Sequence, residues 1–287
     1  MLAYVDGSWE DAARGTIPIH DRGFLLGDGV YDTCRVLEGR YFRFVEHALR
    51  LHASAAVLRI PVPDVDALHD IALELLDRNG GADLEHAVLR ITATRGSGGR
   101  GVGTADAGPT RLVMTLHRLP DDWREQARRG GTCVTATVRH PPASVMPPAL
   151  KGQGRIFSLL ATLNAEAAGC DEALLLSTAG KITEGATWNV FWRSGRRLRT
   201  PAEETGILAG VTRGLVMEVG RAAGYTVEEG VWDRGELDDA DEAFATMTSR
   251  GLVSLRSLDG RAFPSTEAVD RLTPDYWARV REARHDG

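Results

Sequence analysis

Apolar and polar positions fall into two kinds of run along the chain. Short β-prone runs bounded by turn residues predict strands over 2–5, 30–36, 86–94, 111–116, 132–138, 172–176, 187–192 and 241–246. Asp6-Gly7 suits a hairpin turn after the first of these, and Gly39-Arg40 turns into a further strand over 41–44. The helical period appears over 47–58, with Leu49, Leu51, Ala55, Ala56 and Leu58, and over 65–76, which ends at Asn79-Gly80-Gly81. A third helix is predicted over 155–168, with Ile156, Leu159, Leu160 and Leu163 on one face, and a fourth over 212–223 behind Gly210. Thr273-Pro274 predicts the start of a last helix, with proline at its first position. Asp21-Arg22-Gly23 and Gly27-Asp28-Gly29 flank an apolar stretch and read as tight, glycine-rich backbone. The Pro120-Asp121-Asp122 run marks a boundary. The pattern is therefore α+β in two parts: a small α/β domain over 1–120, a linker over 121–130 and a larger domain over 131–287.

Charge and composition narrow the function. The 287 residues carry a formal net charge of -6, so no basic field invites nucleic acid or an anionic membrane. No run of 18 apolar residues and no signal-peptide pattern is present, and the expectation is a cytoplasmic protein. Cys34, Cys133 and Cys170 are odd in number and far apart, which argues against a disulfide framework or a zinc site. The histidines show no ligand spacing, and no metal is expected.

Only two lysines stand in the chain, Lys151 and Lys181, so lysine chemistry has two candidates. Lys181 closes Thr178-Ala179-Gly180, a hairpin turn where a solvated amine belongs. Lys151 follows the apolar Pro147-Pro148-Ala149-Leu150 and precedes Gly152-Gln153-Gly154, a setting that can lower an amine's pKa by partial burial. Downstream stand Glu184 in Thr183-Glu184-Gly185 and the helix start Gly210-Val211-Thr212-Arg213. An amine for a Schiff base, a carboxylate for a ring nitrogen and a helix start for a phosphate are the parts needed to hold pyridoxal 5'-phosphate. Thr212 serves equally as an ordinary helix cap, and Arg50 is either a surface arginine or a phosphate clamp. Thr246-Met247-Thr248-Ser249 offers further donors at a strand end. The loop from Arg95 through Arg100 to Gly101 places guanidinium groups where a substrate carboxylate could be received.

The motifs taken together resemble the class IV aminotransferase family, the fold-type IV pyridoxal phosphate enzymes. They are Asp21-Arg22-Gly23-Phe24 with Gly27-Asp28-Gly29-Val30-Tyr31, Glu46-His47 with Arg50-Leu51, Lys151, Thr183-Glu184-Gly185 with Asn189, Thr200-Pro201, Gly206-Ile207-Leu208 with Gly210-Val211-Thr212-Arg213, and Ala240-Asp241-Glu242. The resemblance implies a small α/β domain, a larger domain with a β-barrel-like core, the cofactor between them, and a homodimer. It makes Lys151 the Schiff-base lysine and Glu184 the partner of the pyridine nitrogen. Arg50, Val211, Thr212 and Thr248 would hold the phosphate. Tyr31, Arg100 and Ser249 would face the substrate. The first two motifs look more like the D-amino acid aminotransferases and the 4-amino-4-deoxychorismate lyases than the branched-chain enzymes. The family's lyase motif Lys-x-x-Asn-Arg reads Lys151-Gly152-Gln153-Gly154-Arg155, with glycine in place of the asparagine and the arginine kept. The expectation is an aminotransferase passing an amino group from an amino acid, D-amino acids favoured, to a 2-oxo acid. The alternative is a lyase releasing pyruvate and 4-aminobenzoate.

Overall fold

The computed structural model describes residues 1–282. Within these the chain forms two compact units, Met1–Leu119 with Ala149–Gly154, and Pro120–Pro148 with Arg155–Glu282.

The first unit contains β1 (Leu2–Val5), β2 (Ser8–Asp11), α1 (Arg22–Leu26), β3 (Gly29–Leu37), β4 (Arg40–Phe42), α2 (Phe44–Leu58), α3 (Val65–Arg78), β5 (His86–Thr94) and β6 (Arg111–Arg118). Its sheet has the order β2-β1-β6-β5-β3-β4, and every neighbouring pair is antiparallel. The pleat sends successive side chains to opposite faces. Val30, Cys34 and Val36 of β3 and Ala87, Leu89 and Ile91 of β5 therefore meet Ala48, Leu51 and Ala55 of α2 and Leu68, Ala72 and Leu75 of α3. Leu51 and Leu75 are fully buried, each contributing about 1.5–3 kcal/mol. The strand expected over 41–44 ends at Phe42, because Arg43 adopts a left-handed backbone and α2 starts at Phe44.

The second unit contains α4 (Trp123–Arg129), β7 (Gly131–His140), α5 (Ile156–Ala167), β8 (Glu172–Ser177), β9 (Ile182–Gly185), β10 (Asn189–Ser194), β11 (Arg197–Pro201), α6 (Val211–Ala222), β12 (Thr226–Gly230), β13 (Glu242–Met247), β14 (Gly251–Leu258), β15 (Arg261–Ala262) and α7 (Glu267–Glu282). Strands β10, β13, β14, β7, β8 and β9 pair in that order, and β9 returns to β10 at Glu184 and Asn189. The ring is a closed six-stranded barrel, filled by Leu174, Ile182, Trp188, Val190, Trp192, Ala243, Ala245 and Leu255 among others. Closure leaves no edge in the ring to pair with another chain.

Three expectations need correction here. Residues 121–130 are not a bare linker: Trp123–Arg129 within them form α4, whose buried Trp123 packs edge-on against Trp277 at 5.0 Å. The last helix starts at Glu267, and Pro274 lies inside it. Ala268, Leu272, Tyr276 and Val280 keep a four-residue apolar stripe buried across the proline, which outweighs the missing N–H. Helix α5 packs by its small side chains, Ser158, Ala161 and Ala165, not by its large ones. Ile156, Leu159, Leu160 and Leu163 remain 65, 54, 41 and 47% exposed. No helix among the described residues is long and apolar enough to cross a membrane, and no cluster of side chains there could hold a metal ion.

Candidate active site

Lys151 is fixed by its backbone before its side chain is considered. The segment around it lies along β3: Lys151 C=O accepts the Tyr31 N–H at 3.0 Å, Gly152 bridges Val30, and Gln153 N–H donates to Gly29 C=O at 2.9 Å. The Lys151 N–H donates to Ser54 Oγ at 3.0 Å, and that buried hydroxyl donates to Ala149 C=O at 2.7 Å. The amine Nζ comes to 5.1 Å from the centroid of the Tyr31 ring. Lys181, by contrast, pairs its amine with the exposed Asp233 at 2.7 Å.

Behind Tyr31 the strand carries an anion on its core face. Asp32 is fully buried and accepts from Arg50 Nε and Nη2 at 2.7 and 2.8 Å and from His47 Nδ1 at 2.7 Å. Burial would raise its pKa. The Arg50 charge and the His47 bond overcome that and hold it far below the usual carboxylate range. Burial likewise pushes His47 below the ordinary imidazole value, against the pull of Asp32. Arg50 loses some basicity to burial and regains more from Asp32, ending above its usual value. Two of its three guanidinium nitrogens thus serve Asp32.

The glycine-rich loop is built by a second buried pair. Arg22 donates from Nε to Asp28 at 2.7 Å and from its Nη atoms to the carbonyls of Gly98, Gly101 and Val102. Arg95 also pairs with Asp28, at 2.8 Å, and donates to Leu58 C=O. Arg95 is therefore a structural residue of the loop. Arg100 is exposed at its tip and makes no ion pair among the described residues.

In the second unit the barrel gathers Glu184, His140, Asn189 and the start of α6. Glu184 Oε2 accepts from Asn189 Nδ2 and from the Leu208 N–H, both at 3.0 Å, and Oε1 lies 3.3 Å from His140 Nε2. The carboxylate is only 8% exposed. Asn189 also donates to Leu208 C=O at 3.0 Å, tying β10 to the segment that enters α6. Gly210 precedes that helix and supplies no side-chain cap. A Cβ there would run into Asn189 Oδ1. The opening N–H groups of Val211 and Thr212 are left for an outside acceptor, with the helix dipole behind them. Buried Arg213 anchors the same turn to Pro201 C=O and Glu229, each at 2.7 Å. Thr246 stands opposite Asn189 on β13, and half-buried Thr248 and Ser249 follow in the turn to β14.

Structure thus adds Asp32, Ser54 and His140 to the residues read from sequence, and gives His47 of the Glu46-His47 motif its partner. A carboxylate on the core face of a strand was a usable signal for Asp32. Nothing in the sequence around His140 marks it.

Residues 29–258 match the family model for amino-transferase class IV, and the chain belongs to that family. It is 32% identical over 285 residues to a putative branched-chain-amino-acid aminotransferase of Methanocaldococcus jannaschii, covering 99% of this chain and 96% of the relative. It is 29% identical to the D-alanine aminotransferase of Bacillus licheniformis, over 92 and 91% of the two chains. An aminodeoxychorismate lyase of Vibrio harveyi is also similar, at 27% identity over 84 and 87%. A solved branched-chain amino acid aminotransferase with pyridoxamine 5'-phosphate superposes with a TM-score of 0.91 at 27% identity, over 99 and 95%. The fold is fold type IV, and the family's cofactor is pyridoxal 5'-phosphate. Groups of the kinds that molecule needs are present in each unit: an amine at Lys151 in the first, and in the second a buried carboxylate ringed by donors at Glu184 and an uncapped helix start at Gly210.

Proposed function

We propose that this protein is an aminotransferase in which Lys151 bonds the cofactor aldehyde and carries the proton, Glu184 faces the pyridine nitrogen, and Val211, Thr212, Thr248 and Arg50 hold the phosphate. When bound, pyridoxal phosphate supplies the electron sink that acidifies the Cα–H of an amino acid. The protein's share is positional. Lys151 presents an amine beside Tyr31 to take and return the Cα proton. Asn189 and the Leu208 N–H fix the Glu184 carboxylate in one orientation. Asp32 holds the Arg50 side chain by two charge-assisted bonds, so that its guanidinium is aimed without further ordering.

The observation that carries this reading is the contrast between the two lysines. One is pinned through its backbone to β3 and Ser54, and the other, at a turn, ion-pairs with the exposed Asp233. Arg155, the residue that tilts the motif toward the lyases, bonds Ser158 and the Ala186 carbonyl. That structural use keeps the aminotransferase reading ahead. The relatives' names divide among branched-chain amino acids, D-alanine and aminodeoxychorismate, so they do not single out D-amino acids. The substrate proposed is therefore a monocarboxylic amino acid with a 2-oxo acid as acceptor. The exposed apolar face of α5 supports a homodimer.

Borohydride reduction of the loaded enzyme followed by peptide mapping should place the label on Lys151. Lys151→Ala should lose both label and turnover, while Lys181→Ala keeps both; a label on Lys181 would reverse the assignment. Single-turnover mixing with D- and L-alanine and D- and L-leucine should release one 2-oxo acid per active site. Release of pyruvate from aminodeoxychorismate without such a half-reaction would favour the lyase.

A further inference from the structure

His140 closes β7, and an irregularity in that strand turns it inward. The pairing of β7 with β8 shifts register between Thr135 and Arg139. Buried positions change there from Gly131 and Cys133 to Ala136 and His140, and His140 is 1% exposed. Its Nε2 lies 3.3 Å from Glu184 Oε1 on β9, and its Nδ1 lies 2.9 Å from Pro141 C=O. The Phe157 ring of α5 meets the imidazole edge-on at 5.3 Å. Backbone at Gly206 closes the other side, where a Cβ would stand 3.4 Å from Nδ1. Arg155 lies beyond Phe157, with Cζ 5.6 Å from that ring's centroid, and donates to Ser158 and Ala186 C=O.

These partners fix the protons on the ring. A carbonyl only accepts, so Nδ1 carries the proton directed at Pro141. A neutral imidazole has a single N–H, and its Nε2 would then turn a lone pair toward a carboxylate oxygen. The contact with Glu184 is attractive only with a second proton between Nε2 and Oε1. Asn189 Nδ2 and the Leu208 N–H donate to the other oxygen, Oε2. Those donors suit an ionised carboxylate, so the extra proton belongs on the imidazole. The buried pair is then an imidazolium and a carboxylate that balance each other. A protonated pyridine nitrogen at the same carboxylate would set two cations against one anion, and unbalanced buried charge is costly. Loss of the Nε2 proton restores the balance without moving a side chain, because the Nδ1–H bond to Pro141 is kept.

We infer that His140 is a positioning residue that holds Glu184 ionised in the cofactor-free enzyme and releases its Nε2 proton to solvent when a protonated ring nitrogen becomes the carboxylate's partner. The inference rests on the reading of Glu184 as that partner. The test is calorimetric titration of the cofactor-free enzyme with pyridoxal phosphate, in buffers of different ionisation enthalpy, which counts the protons exchanged. His140→Gln keeps a donor for Glu184 but does not titrate, and near neutral pH it should release about one proton per site fewer than wild type. Equal counts overturn the inference and leave the aminotransferase reading standing. Nitrogen NMR of wild-type enzyme carrying isotope-labelled histidine answers without a variant. One imidazole should carry protons on both nitrogens before loading and on one afterwards; if none changes, the inference is overturned. Unaltered cofactor affinity and absorbance in Glu184→Gln would instead count against the reading of Glu184 itself, and the inference falls with it.

Discussion

Asn189 joins three parts of the second unit through one amide: it donates to Glu184 and to Leu208 C=O, and its oxygen lies where a side chain on Gly210 would have to go. Asn189→Asp would replace a donor to the Glu184 carboxylate by a like charge at the same distance. The lost bond to a charged group alone is about 1.5–3 kcal/mol, and repulsion adds to it. The variant should bind pyridoxal phosphate at least tenfold more weakly by fluorescence titration and melt at lower temperature. Asn189→Ser should do so less severely; equal affinities in both variants and wild type would show that the clamp is not needed. Gly185 shows the same dependence on size, since a Cβ there would enter the ring of Trp188. Lys151 could be picked from the sequence because lysine is scarce in this chain, and Glu184 through the motif Thr183-Glu184-Gly185. Arg90 could not. Arginine is this chain's default cation, and only strand register puts Arg90 over the Tyr31 ring.

Elements decide where charge is buried, and the β3–α2 pair gives the clearest case. Asp32 faces α2 from the core side of β3, and His47 and Arg50 meet it from one helix face at i and i+3. His47 has a native pKa below its unfolded value of about 6.5, so the unfolded chain binds a proton there that the native chain refuses. Stability from this group is therefore lost as pH falls below about 6.5 toward the lowered native value. Asp32 is also depressed, so its contribution is whole above about pH 3.9 and disappears as pH falls through its native value. Urea midpoints measured from pH 8 to pH 5 should decline for wild type. His47→Asn, a donor that does not titrate, should be less stable at pH 8 but flatter across that window. An unchanged slope in the variant would mean that other groups set the acid response. Element boundaries were legible where periodicity and turn residues agreed, as over β5 and α3. They failed at Pro274 and Arg43, where tertiary burial and a left-handed backbone overrode the local signal.

At the scale of the whole molecule, the outward apolar residues of α5 bear on assembly. The period read from sequence was right, but the face was not the one that packs. Ala161 and Ala165 allow close approach to β7 and β8, while Ile156, Leu159, Leu160 and Leu163 stand outward. Four large apolar side chains in a contiguous row on one helix are more than scattered exposure explains. A second copy laid against this face would hide them, and a two-fold arrangement would bring the same row from each partner together. A stable interface covers about 800 Å² on each partner, more than one helix face supplies, so flanking surface must join it. Leu159→Glu with Leu163→Glu would put charges into that contact without touching the packed alanines. The prediction is a wild-type dimer in sedimentation velocity and a folded monomer for the double variant, with unchanged far-ultraviolet circular dichroism. A monomeric wild type, or a double variant that stays dimeric, would show that α5 does not carry the interface.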